Sequence, residues 1–303
     1  MQKIDYLGRM NTDQTGNGAA MRFGICAFAT EATLSPGELA VEVERRGFAS
    51  LWFAEHSHIP LSRRTPWPGG GDLPRYYYEA MDPIVAMTAA AAATTTLRVG
   101  TGITLVVQRD PIQLAKEIAS LDVISGGRVD VGVGAGWNIE EMEDHGTDPA
   151  TRWKLMRERV EAMKAIWTME AAEYHGELVD FGPMASFPKP VQRPHPPVLV
   201  GGDPPQGMRR AIRYGDGWMP IVGREDIDVA ALAADLRRGA EAAGRDPATL
   251  EFIAFGAPED EAALTRLRAG GVDRALFFIA PEGPDATRAR LDALAALVAR
   301  IGD

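Results

Sequence analysis

Eight short apolar runs alternate with eight helical segments between Met21 and the end of the chain. This alternation predicts an α/β fold, a (β/α)8 TIM barrel. Two further observations favour it. The runs are apolar at nearly every position, as parallel strands covered by helices must be. The first run is followed by Phe28-Ala-Thr-Glu-Ala32, not by the G-x-G-x-x-G turn that usually opens an open doubly wound sheet.

Residues 1–20 are polar and aperiodic, so a flexible leader is expected there, followed by one barrel domain over 21–303. Arg22–Phe28 reads as the first strand. Ser35 as N-cap and Pro36 in the first turn open a helix that runs to Gly47. Ser50–Ala54 is the second strand, and a loop of roughly two dozen residues follows it, long enough to be functional. Asp82-Pro83 opens an alanine-rich helix ending near Thr96, and Leu97–Leu105 is the third strand. Asp110-Pro111 opens the third helix, in which Ile112, Leu114, Ala115, Ile118 and Leu121 keep helical spacing. Arg128–Val133 is the fourth strand, leading through a Gly-rich insertion to a helix over Thr151–Met169. Tyr174–Pro197 is proline-rich with strand-like pieces and reads as a hairpin excursion before the fifth strand, Pro197–Gly201. Helix Gln206–Tyr214, strand Gly217–Pro220, helix Asp226–Ala243, strand Leu250–Ala254, helix Glu259–Ala269, strand Ala275–Ile279 and a last helix from Asp285 complete the barrel.

The chain has 303 residues, 46% of them hydrophobic, enough for one large core. A net charge of -10 and a pI near 5.1 argue against nucleic acid or an anionic membrane as the main partner. Cys26 is the only cysteine, which excludes an internal disulfide and a cysteine-rich metal cage. No apolar run approaches the roughly 18 residues of a membrane span, and no basic-then-apolar secretory pattern opens the chain. A soluble cytoplasmic protein is therefore expected.

Barrels of this kind work at the C-terminal ends of their strands. The second strand ends in Glu55, His56 and His58, a carboxylate and two imidazoles suited to acid–base work. The third ends in Gly102-Ile-Thr104, the fourth in Gly134-Ala-Gly-Trp-Asn138 and the fifth in Gly201-Gly-Asp203. Glycines there let a flat or phosphorylated ligand approach the backbone, although each taken alone is also ordinary turn chemistry. His56-x-His58 also has the form of a zinc pair, but such a site needs further ligands on later strands. His145, His175 and His195 fall in connecting segments, so no metal site is expected. His58 reads as a loop residue or pocket wall, and His145 as within reach of the phosphate side. Arg63 and Arg64 suit an anionic cofactor tail or a solvated loop. Trp67 and Tyr76–Tyr78 suit a pocket roof or a pin for the loop. Asp122 and Arg128 read as a structural pair.

Leu51-Trp-Phe-Ala-Glu-His-Ser-His-Ile-Pro60, Val99-Gly-Thr-Gly-Ile-Thr104, Ser120-Leu-Asp-Val-Ile-Ser-Gly-Gly-Arg128 and Val131-Gly-Val-Gly-Ala-Gly-Trp-Asn138 resemble the luciferase-like monooxygenase superfamily. Pro188–Gly202 and Gly215-Asp-Gly-Trp218 resemble it too, and the subgroup most resembled uses coenzyme F420, a deazaflavin. The resemblance implies a hydride-transferring oxidoreductase acting on a small-molecule substrate, with FMN-dependent oxygenation as the alternative and a non-catalytic flavin or deazaflavin carrier as a third. It implies a cis peptide at Gly102–Ile103 behind the cofactor ring, with His56 and Glu55 as the catalytic acid–base pair. Gly102, Ile103, Thr104, Gly134, Ala135, Gly136, Asn138, Gly201 and Gly202 would line the cofactor. Relatives often carry Asp at the place of Glu55. Sugar-phosphate dehydrogenases of the family carry a glutamate where this chain has Ala135, which argues against glucose-6-phosphate. Relatives commonly pair, so a homodimer is compatible with the resemblance.

Overall fold

A computed structural model describes residues 20–223 and 227–301. The leader expected over 1–20 lies outside the described residues, apart from Ala20, as does Asp226, the expected start of the sixth helix. The first half of the chain forms β1 (Arg22–Ala27), α1 (Pro36–Glu44), β2 (Ser50–Phe53), α2 (Pro83–Ala93), β3 (Arg98–Thr101), β4 (Thr104–Leu105), α3 (Pro111–Ser125), β5 (Val129–Gly134), α4 (Ile139–Asp144) and α5 (Arg152–Thr168). The second half forms β6 (Ala172–His175), β7 (Asp180–Met184), β8 (Val198–Gly201), α6 (Gln206–Tyr214), β9 (Gly217–Met219), α7 (Val229–Ala242), β10 (Glu251–Phe255), α8 (Glu261–Ala269), β11 (Arg274–Ile279) and α9 (Pro284–Ile301).

Parallel pairing runs β1–β2–β3–β5–β8–β9–β10–β11 and returns from β11 to β1, so eight strands close into the expected barrel. Closure leaves the barrel itself without a free sheet edge. β6 and β7 form the antiparallel hairpin before β8, two residues earlier than Tyr174. No described helix is long and apolar enough to cross a membrane.

Local chemistry starts the helices where the sequence places them. Ser35 and Glu38 form a reciprocal capping box on α1. Asp82 accepts from the Ile84 and Val85 amides at 2.9 and 3.0 Å, and Asp110 does the same for Ile112 and Gln113 at 3.0 and 2.9 Å. Each cap contributes about 1 kcal/mol. Gly126, in the left-handed region at φ 68, ends α3 as only glycine does without strain.

The barrel lumen is filled in layers. At the N-terminal end lies a buried ion network. Arg274 donates to Asp130 at 2.6 Å and to Glu251 at 2.9 Å, Arg98 also binds Asp130, and Arg22 reaches Glu251 at 2.8 Å. Burial alone would raise the Asp130 pKa, but the Arg98 and Arg274 charges hold it well below the usual carboxylate range. Above this network Cys26, Trp52, Leu199, Met219, Ile253 and Leu276 pack together. Gly100 is required here, because a Cβ on it would stand 2.5 Å from the Trp52 ring. Ile103, Phe255 and Phe278 lie partly buried on this layer and form the floor of the barrel mouth.

Three expectations need correction. The third strand is not continuous over Leu97–Leu105, but breaks at a cis Gly102–Ile103 peptide. Val99 faces Val129 while Thr104 faces Val133, so this strand carries one residue more than its partner, the signature of a bulge. α4 was not foreseen, because six residues are too few for a visible period. Asp122 and Arg128 do not pair. Asp122 accepts from Gln192, whereas Arg128 donates to the carbonyls of Ala91, Thr94, Leu97 and Ser125.

Asp130→Ala would leave the Arg98 and Arg274 guanidinia buried around an empty place. Urea unfolding is expected to show a loss of about 3–5 kcal/mol. A loss under about 1 kcal/mol would mean that the network does not hold the lumen.

Candidate active site

The alternation of β2 decides which groups enter the mouth. Leu51 and Phe53 pack outward among the helices, while Trp52 points into the lumen. Carried past the strand end, this period sends Glu55 outward and His56 inward.

Glu55 is 5% exposed and fully engaged. Its carboxylate accepts from the Thr104 hydroxyl, from the Leu105 amide at 2.7 Å and from Arg109 Nε at 2.5 Å. Arg109 in turn binds Asp82, the cap of α2. Glu55 thus fastens the resumed strand β4 to β2 and to the start of the second helix. The expected pairing of Glu55 with His56 is not what the structure shows, and Thr104, whose hydroxyl is given to Glu55, faces away from the mouth with it.

The carboxylate that meets His56 is Glu141 of α4. His56 Nδ1 lies 2.8 Å from Glu141 Oε2, with the imidazole 8% exposed and Glu141 completely buried. A carboxylate accepts, so Nδ1 is the ring nitrogen that shares a hydrogen with Glu141, and Nε2 is the nitrogen left for another partner. Sequence reasoning missed Glu141. The signal was its place three residues after Asn138, in the first turn of a helix that leaves the β5 loop.

Ile103 explains the glycine at one strand end and touches another. A Cβ on Gly134 would stand 1.8 Å from Ile103 Cδ1, and one on Gly201 would stand 3.4 Å from Ile103 Cγ2. Gly134 is thus bare where the Ile103 side chain lies, whereas a Cβ at Gly201 would make ordinary contact with it. Gly102 packs against Cys26, Trp52 and Phe255. Gly136 is a different case, with φ 76 and a bare face beside Gln108. Ala135 is buried in the helix-side core and does not line the mouth. Gly202, at φ 117, gives its carbonyl to Trp218 Nε1 at 2.9 Å and abuts the first turn of α6.

Orphaned polar groups test whether these residues suit a flat, phosphorylated ring. Asn138 is 1% exposed, yet neither atom of its amide has a hydrogen-bond partner among the described residues. Glu141 Oε1 and both amide atoms of Gln108 are likewise unpartnered. Such groups cost about 1–3 kcal/mol each when left unmade, and the polar edge of a ring ligand would satisfy them. The donor set fits a flavin or deazaflavin: apolar floor, bare glycine backbone and amides along one wall. Among the described residues no three His, Cys, Asp or Glu side chains gather to hold a metal.

The long loop after β2 roofs one side. Tyr77 packs on Phe28 at 4.8 Å and on His56 at 5.1 Å between ring centroids, and Trp67 donates to its hydroxyl at 3.2 Å. Tyr76 joins this cluster, whereas Tyr78 is exposed. Trp137 stands edge-on to His56 at 5.8 Å, with the Arg63 guanidinium over it. Glu140 pins the loop by accepting from the Arg64 amide at 2.6 Å and from the Thr65 amide and hydroxyl. Burial works to raise its pKa, but the bonds from Thr65 and Arg64 outweigh it and hold it at about 2. Arg64 itself pairs with Glu143 at 2.6 Å. His58 and His145 meet at Ser57 on the outer side of the loop, so His145 is on the β2 side and not beside β8. A groove of about 800 Å³ between α7 and α8, lined by Val222, Ile227 and Arg266, gathers none of the strand-end groups.

A family profile described as luciferase-like monooxygenase matches residues 21–296. A protein of uncharacterised function from Mycobacterium tuberculosis is 40% identical over 92% of this chain and 99% of its own length. An F420-dependent hydroxymycolic acid dehydrogenase from the same organism is 30% identical over 82% of this chain and 66% of its own length. The solved structure of an F420-dependent secondary alcohol dehydrogenase, in complex with an F420–acetone adduct, superposes with a TM-score of 0.72 at 19% identity, covering 94% of this chain and 100% of that one.

The Glu140 carboxylate is held below its ordinary value of 4.5, so the stability that it contributes is present above that pH and is lost as pH falls towards about 2. Melting temperatures of the wild type and Glu140→Gln, measured as a function of pH, are expected to differ by a constant amount above about pH 5 and to converge below it. A gap that ignores pH would contradict the pinning role.

Proposed function

The chain belongs to the luciferase-like monooxygenase family of oxidoreductases, and from that premise we propose that it is a coenzyme F420-dependent oxidoreductase acting on a small organic substrate. The observation that carries this reading is the His56–Glu141 pair at the barrel mouth, above a floor of Ile103, Phe255 and Phe278. Two similar proteins, a hydroxymycolic acid dehydrogenase and a secondary alcohol dehydrogenase, both F420-dependent, support a hydroxyl–carbonyl pair as the substrate chemistry.

A bound deazaflavin supplies two-electron hydride chemistry, having carbon where a flavin has its reactive nitrogen. The chain supplies the rest. Ile103 would back the ring from below, with Gly134 making room for it. Asn138, Gln108 and the bare face of Gly136 would bind its polar edge, and Gly202 with the start of α6 would lie on the phosphate side. His56 Nε2 would accept the hydroxyl proton of an alcohol substrate, and Glu141 would stabilise the imidazolium so formed. Tyr77, Trp67 and Trp137 would keep water from this side of the mouth. Glu55 acts on the site through β4 and is a positioning residue.

The family also gives a second reading, an FMN-dependent monooxygenase on the same barrel. Parallel binding titrations with F420 and FMN, read by cofactor fluorescence, separate the two. F420 binding tighter than FMN by at least about tenfold is expected; tight FMN binding without deazaflavin binding would overturn the proposal. His56→Ala is expected to keep cofactor affinity and to lower turnover by about 10²–10⁴-fold, the usual share of a positioned acid–base group. Unchanged turnover in that variant would remove His56 from the chemistry.

A further inference from the structure

Among the described residues many arginines meet a carboxylate, and Arg152 and Arg210, at the rim near β8, are among those that do not. Arg152 is the first residue of α5, and Arg210 opens the second turn of α6. Both guanidinia lie over one indole, that of Trp153, at 5.1 and 3.6 Å from its centroid. Among the described residues neither forms an ion pair. Arg152 donates only to the Pro149 carbonyl, at 2.7 Å. Like charges gathered on one ring repel, and partial burial together with the Arg152 charge lowers the pKa of Arg210. Such an arrangement is favourable once an anion bridges the two cations.

Its place in the fold indicates which anion. The α6 helix starts against Gly202, so closely that a Cβ on Gly207 would stand 2.1 Å from the Gly202 carbonyl oxygen. Arg210 lies three residues beyond Gly207, one turn further from the mouth. A phosphorylated ligand leaving the mouth past Gly202 and the first turn of α6 would therefore meet Arg210, Trp153 and Arg152 next. The two arginines that the sequence offered for an anionic tail are placed differently. Arg64 is paired with Glu143, and Arg63 lies over Trp137, across the mouth beside the β2 loop.

We propose that Arg152, Trp153 and Arg210 form a subsite for the carboxylate-bearing tail of the cofactor, distinct from the ring site and its phosphate. Trp153 holds the two guanidinia in place by cation–π contact, so their donors are presented together to a γ-linked glutamyl chain. This inference rests on the F420 reading, and it deepens that reading by assigning the tail its own residues.

The test compares full-length F420 carrying an oligoglutamyl tail with the deazaflavin that keeps the phosphate and lacks the glutamyl tail. Each is titrated by fluorescence into the wild type, Arg152→Gln, Arg210→Gln and the double variant, at low and high salt. Each single substitution is expected to weaken F420 binding by about three- to tenfold, and the double variant by more, with a shallower salt dependence. Affinity for the tail-less deazaflavin is expected to stay within about twofold, which also reports that the mouth is still folded. Unchanged F420 affinity in the double variant, or an equal loss for both ligands, would overturn the tail subsite and leave the F420 reading standing. A wild type that binds neither deazaflavin would overturn both.

Discussion

The mouth of this barrel depends on one outward-facing carboxylate. Glu55 accepts three bonds, from Thr104, Leu105 and Arg109, all on the chain that follows the break in the third strand. These bonds to an ionised acceptor are stronger than neutral ones, and they fix where β4 resumes. That resumption sets where the Ile103 side chain lies, and Ile103 as it lies leaves no room for a Cβ at 134. Through Arg109 the same carboxylate is linked to Asp82, which caps α2 and ends the roofing loop. Floor, wall and roof of the mouth thus meet at Glu55, although it presents nothing to a ligand.

The division of labour between Glu55 and Glu141 follows from strand period. Adjacent residues on β2 face opposite sides, so Glu55 and His56 were never placed to act on one another. That much was legible: Leu51, Trp52 and Phe53 set the phase, and two further steps give the directions of Glu55 and His56. Glu141 was harder to find. It depends on α4, whose six residues carry no period of their own, and on a contact across 85 positions of sequence. The eight strand–helix units were legible because each repeats the same pattern. The strand break was legible only through resemblance, since Gly102-Ile103 has no local feature that separates it from ordinary strand. The glycines were legible as features of the rim, but their cause was not. Gly134 serves a neighbouring side chain, and a sequence does not show which neighbour fills the space.

What the site can do is written in groups that the chain itself leaves incomplete. Below the mouth, the lumen is closed: Arg274, Asp130, Glu251, Arg98 and Arg22 satisfy one another, and Trp52 gives its indole hydrogen to Ser50 at 2.8 Å. At the mouth that accounting stops. Asn138, Gln108 and one oxygen of Glu141 lack partners, and His56 offers Nε2. A barrel that pairs its deepest charges and leaves these amides unpaired is stable below and receptive above, in keeping with a fold that separates its stability face from its working face.

The proton on His56 is the most direct probe of this account. Selective ¹⁵N labelling of histidine, with ¹⁵N–¹H correlation spectra of the wild type and Glu141→Gln, reports which ring nitrogen carries hydrogen. The account predicts a hydrogen on Nδ1 of His56, with a resonance that moves when Glu141 is changed. An Nδ1 without hydrogen, or a His56 signal indifferent to Glu141→Gln, would contradict it.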